Sequence, residues 1–225
     1  MKTPIGIIGV LCLSVFMASL AYAGTWFDSF SGGVLDQSWK GDRDNFLVAD
    51  NSLSGRNAHP ILILPLKWIE VGDNWDDYTV ECRINVFTEN LLECTKGAIV
   101  FRYKDNEGYV FALHVATKTV EVYRLSDGEM LILESKPLEL QKWYLVKAEL
   151  NGENMSFYLD NKLIGKITDD RSASGSVGLA VQDALVVLYD DFGVTGPNVE
   201  AHGVTAVKTY GKVSTTWASL KSMLK

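Results

Sequence analysis

At 225 residues the chain has room for one β-sandwich domain and small extensions, not for two full domains. Its 28 acidic residues outnumber its 21 basic ones, for a formal charge of −7. With no Lys/Arg stripe anywhere, that balance argues against a nucleic-acid partner, whose phosphates require a basic surface.

The first segment reads as a targeting leader. Lys2 supplies the positive start, Ile5–Leu20 is an apolar stretch, and Ala21-Tyr22-Ala23 has the small-x-small pattern of a cleavage site. The stretch is short for a membrane anchor. The expectation is a signal peptide over 1–23, export to the periplasm or beyond the cell, and no stable membrane insertion after cleavage. Export leaves Cys82 and Cys94, an even pair in an oxidising compartment, which predicts one disulfide. Two buried free thiols are the alternative. No CxxC or Cys/His cluster suggests a transition-metal site.

From Gly24 onward the chain reads as short strands. Thr25–Phe30 opens, and a polar loop follows over Ser31–Lys40. Phe46–Ala49 and Ser52–Gly55 form a hairpin across Asp50-Asn51, residues that tolerate the left-handed turn conformation. Ile61–Trp68 is an apolar run broken by Pro65, the mark of an edge strand or bulge. Tyr78–Val86 alternates strictly between apolar and polar. Next come three antiparallel runs, Ala98–Tyr103, Tyr109–Ala116 and Val120–Leu125, joined by tight turns. Met130–Ser135, Trp143–Leu150, the hairpin Ser156–Asp160/Lys162–Ile167, Val177–Val181 and Leu185–Val194 complete the pattern. Turn signals every eight to twelve residues predict an all-β, antiparallel sandwich. Ser214–Leu224 has the cap and the apolar spacing of a short amphipathic helix, docked on the sandwich or offered to a protein partner.

The order of segments resembles a known family. The matching stretches are WFDSFSGGVLDQSW, FLVADNSLSG, DDYTVECRINV, GAIVFRYKDNEGYVFALH, VEVYRL, PLELQKWYLVKAELNGENMSFYLDNKLIGKITD and GSVGLAVQDALVVLYDDFGV. Together they resemble the concanavalin A-like lectin/glucanase superfamily, most similarly its laminin G-like and 3-keto-disaccharide-hydrolase-type domains. The resemblance covers 24–196 and leaves the tail, 197–225, outside it. It implies a jelly roll of two packed antiparallel sheets, with ligands on the concave sheet or in loops at its rim. It also implies a structural calcium where the first and last strands meet, for which Asp28 and Asp191 are the candidates.

The family's glucanases carry two glutamates and an aspartate on one strand, because paired carboxylates must flank the glycosidic bond. No strand here supplies that trio. The expected function is therefore a non-catalytic, secreted carbohydrate-binding module. A sugar-processing hydrolase of the 3-keto-disaccharide type and a protein-binding adhesion module are the alternatives. Sugars stack on exposed rings and hydrogen-bond to polar side chains, so the candidate ligand residues are Trp68, Trp75, Arg102, Tyr109, His114, Tyr123 and Arg124. For the rings the competing reading is core, where most sandwich aromatics lie.

Overall fold

The computed structural model describes residues 23–59, 65–89 and 95–203. Among them are fifteen strands: β1 (Gly24–Asp28), β2 (Lys40–Gly41), β3 (Phe46–Ala49), β4 (Ser52–Asn57), β5 (Lys67–Trp75), β6 (Tyr78–Glu89), β7 (Lys96–Lys104), β8 (Glu107–His114), β9 (Thr119–Arg124), β10 (Met130–Ser135), β11 (Trp143–Asn151), β12 (Asn154–Leu159), β13 (Lys162–Thr168), β14 (Gly175–Gln182) and β15 (Ala184–Gly196). A 3-10 turn, Arg43–Asn45, precedes β3.

The strands form two antiparallel sheets. One has eight strands in the order β13-β12-β11-β6-β15-β4-β3, with β1 pairing the second half of β15. The other has seven, in the order β10-β9-β8-β7-β14-β5-β2. Alternation decides which side chains meet between them, since successive residues of a strand point to opposite faces. On β11, Tyr144, Val146, Ala148 and Leu150 are buried while their neighbours are half-buried. On β6, Tyr78, Val80, Cys82, Ile84 and Val86 turn inward. Ile99, Phe101, Phe111, Val122, Val177 and Leu179 of the seven-stranded sheet meet them in one continuous core.

The hairpins close as their turn residues dictate. Asp50-Asn51 and Asp160-Asn161 adopt positive φ at both positions (49° and 56°; 49° and 63°), as a two-residue turn matched to strand twist requires. Asp105-Asn106 does the same between β7 and β8.

The structure departs from the sequence reading in one element. The run expected to end at Trp68 continues onward, with 67–75 one continuous strand. Gly72-Asp73-Asn74 forms a bulge within it. Val71 pairs with Val177 and Trp75 with Gly175, so β5 advances four residues where β14 advances two. The expected leader over 1–23 lies, except for its last residue, outside the described residues, and so does the expected helix over 214–224. Among the described residues no helix is long and apolar enough to cross a membrane.

Candidate functional site

The central strands of the seven-stranded sheet are buried on both faces, unlike an ordinary half-wet strand. Register explains what covers the outer face. Trp68 of β5 lies across from Ala180, which pairs with Ala98, then Ala112, then Glu121 on β9. The adjacent row runs Glu70, Gly178, Val100, Val110, Tyr123. Small residues thus floor the sheet between two polar-aromatic margins four strand spacings apart, about 19 Å at about 4.8 Å per strand. Ala98, Val100, Val110, Ala112 and Ala180 are fully buried, with Leu66, Trp68, Tyr103, Tyr123 and Leu125 packed against them. The half-buried side chains of Leu66, Trp68, Tyr103, Tyr123 and Leu125 are what reaches solvent from this cluster.

Each margin is held in place. On β5, Trp68 meets Tyr103 edge-on at 5.1 Å, and its indole N–H donates to Glu70 Oε2 at 3.1 Å. On the far margin, Glu121 Oε2 pairs with Lys96 Nζ at 2.8 Å and Oε1 meets His114 Nδ1 at 2.7 Å. The Thr119 hydroxyl donates to the same Oε1 at 3.0 Å. Lys96 Nζ also lies 5.2 Å from the Tyr123 ring centre, a cation–π contact. Burial raises the Glu121 pKa, but the hydrogen bonds from His114 and Lys96 and their charge outweigh it and bring it down to about 2. Burial, and next the Glu121 charge, push the Tyr123 phenol well up. The margin therefore presents an ionised carboxylate, an ammonium and a neutral phenol.

Of the residues expected to bind ligand, Trp68, His114 and Tyr123 share this outer face, and Lys96, Tyr103 and Glu121 join them there. Trp75 and Tyr109 do not: both lie in the core between the sheets, Tyr109 stacked on Phe101 at 5.4 Å. Arg102 is a correction with a clear cause. Strict alternation would put it outward beside Val100, but its φ is 49° and the β7–β8 register shifts there. This bulge exchanges the faces of Arg102 and Tyr103. Arg102 is 1% exposed and donates to the Asp76 and Ser172 carbonyls, while Tyr103 takes the outer face. Arg124 likewise turns to the end of the sandwich, where it pairs with Asp169 at 2.9 Å and with Asp127 and Glu129. Tyr109 ends in the same cluster, its phenol pushed up to about 12 by burial and by Asp169. Glu121 and Lys96 were legible only as alternating polar residues; three alanines sharing the outward parity were the missed signal.

Asp28 lies across from Phe192, next to Asp191. Its carboxylate accepts from the Phe30 amide at 2.7 Å and from Trp39 Nε1 at 2.9 Å, whereas Asp191 faces Arg83 at 3.7 Å. The two acids serve different partners. Among the described residues no three His, Cys, Asp or Glu side chains group as candidate metal ligands. Cys82 is a free, fully buried thiol, not the half-cystine expected from sequence. Its Sγ lies 3.4 Å from the Asp190 carbonyl, and burial drives its pKa far up. Cys94 lies outside the described residues.

No family model matches the chain. It is 27% identical over 171 residues to a levanase of Bacillus subtilis, a match that spans 74% of this chain and only 21% of that enzyme. The chain therefore corresponds to about a fifth of its curated relative. Among solved structures, it superposes on the carbohydrate-binding module CBM66 of Bacillus subtilis with a TM-score of 0.60 at 20% identity, over 69% of this chain and 93% of that one. A lichenase from a mouse hindgut metagenome gives 0.59 at 10% identity over 77% and 99%. The GH43 protein BlXynB of Bacillus licheniformis gives 0.60 at 15%, over 76% of this chain but 39% of that one. These likenesses fix the architecture: the chain has the two-sheet jelly roll that carbohydrate-binding modules and glycoside hydrolases share.

Proposed function

We propose that this protein is an exported, non-catalytic glycan-binding module whose binding face is the outer face of the seven-stranded sheet. The observation that carries the reading is the pair of cross-strand rows. They set Trp68 and Glu70 on one margin and Glu121 and Tyr123 on the other, above alanine, glycine and valine that are themselves buried. Rings offer apolar faces to a sugar, and fixed charges offer both donors and acceptors to its hydroxyls. Glu121, with a pKa of about 2, is ionised at neutral pH. Levan, the polymer named by the levanase relative, is the first ligand to try.

The test is affinity electrophoresis through gels containing levan, lichenan or xylan, read beside gels without polysaccharide. Retardation by at least one polymer is expected. The Trp68→Ala/Tyr123→Ala variant should bind at least tenfold more weakly, since loss of one central aromatic anchor costs about 2 kcal/mol. No retardation by any polymer, or an unchanged double variant, rejects the reading. Release of new reducing ends from a retained polymer would move the protein to the hydrolases.

A further inference from the structure

A second polar site lies on the opposite flank of β5. A cleft of about 460 Å3 opens beside β2, lined by Trp26, Lys40, Asp73, Asn74, Glu200 and His202 among others. Its volume falls within the range of small-molecule sites, about 300–1,000 Å3. Two features make it a built wall and not a surface irregularity.

The first is the β5 bulge. The extra residues in the pairing with β14 fall over Gly72-Asp73-Asn74, and bulges re-aim side chains. Its shape is committed: Gly72 has φ of 70°, and a Cβ there would come within 2.6 Å of the Trp75 ring. The second is the strap Asn198–Gly203, which runs parallel beside β1. His202 bridges Trp26 in parallel, accepting from the Phe27 amide and donating to the Thr25 carbonyl, both at 3.1 Å. Its ring stacks on Trp26 at 4.8 Å with planes 9° apart.

Together these bring donors and acceptors to one mouth. Lys40 Nζ bonds Asp73 at 2.9 Å, and both remain largely exposed, at 59% and 73%. Asn74 spends its carbonyl on Lys104 at 3.0 Å, which leaves its amide N–H groups as donors. Glu200 adds a second carboxylate. The mixture of an ammonium, an imidazole, amide donors and carboxylate acceptors suits a neutral polyhydroxylated ligand. Lys40 and the nearby Lys104 offset Asp73 and Glu200, so the mouth suits an uncharged ligand. We infer that this edge cleft is a second, independent binding site that takes a single neutral sugar residue.

The cleft and the outer face share no side chain, so each can fail alone. The experiment is a ¹⁵N–¹H NMR titration of the Trp68→Ala/Tyr123→Ala protein with fructose, glucose, galactose and mannose, and separately with calcium chloride. Saturable shifts at 72–74 and 198–202 with at least one sugar are expected. Adding Asn74→Ala and Glu200→Gln should weaken that binding at least tenfold while the remaining spectrum stays folded. No shift in the cleft with any sugar, or cleft shifts driven by calcium alone, overturns the inference.

Discussion

Glu121 sits 5% exposed on β9, and its charge is tolerable only because Lys96, His114 and Thr119 all point at it. Its folded pKa of about 2 lies below the ordinary carboxylate value of 4.5. A depressed pKa means stability that is fully present above the ordinary value and is lost as pH falls through the folded one. Urea unfolding between pH 4.5 and 2 should show a stability decline in the native protein that is flatter in Glu121→Gln. At neutral pH that variant should be less stable by about 2 kcal/mol, because it leaves charged donors short of a partner. Equal pH slopes in the two proteins would place the acid-labile group elsewhere.

Bulges are what convert regular strands into sites at the level of elements. One at Arg102 swaps an arginine for a tyrosine on the outer face of the seven-stranded sheet. One at Gly72–Asn74 opens the edge cleft. The straight parts of the sheet need their glycines for the opposite reason, close approach. Gly178 of β14 lies between Glu70 and Val100, and a Cβ there would run into the Ile69 carbonyl oxygen. Gly178→Ala should cost about 2–3 kcal/mol by overpacking. Gly32→Ala, whose Cβ would have only the Val34 carbonyl oxygen nearby at 3.9 Å, should cost far less. Denaturant midpoints compare the two, and a near-neutral Gly178→Ala would contradict the described approach of β5 and β14.

Over the whole molecule, one core joins both sheets, from Trp26 and Trp39 at one side to Phe157 and Met155 at the other. A single core predicts a single cooperative transition. Tryptophan fluorescence reports mainly on this core through the buried Trp26, Trp39 and Trp75, and far-UV circular dichroism reports on the strands. The two should give coincident urea curves; separated midpoints would mean that the sheets unfold independently. The same core supports both proposed surfaces, so losing either set of exposed side chains should leave the transition in place.

Much of this architecture was legible in the chain. Alternation on Tyr78–Val86 and Trp143–Leu150, and the Asp-Asn turns, determine inward faces and hairpins by local rules alone, because a strand's period and a turn's φ depend on neighbouring residues. The sequence also placed Trp68, His114 and Tyr123 among the candidates. It misplaced Arg102, Tyr109 and Trp75, since a parity count cannot see a bulge or tell which face meets the other sheet. It passed over Glu121 and Lys96 as ordinary polar residues, because their pairing joins β7 to β9 through the register of β8. Cross-strand rows and the closing of the edge cleft by residues 198–203 depend on contacts between segments far apart in the chain. Local propensity fixed the strands; only tertiary packing decided which side chains share a surface.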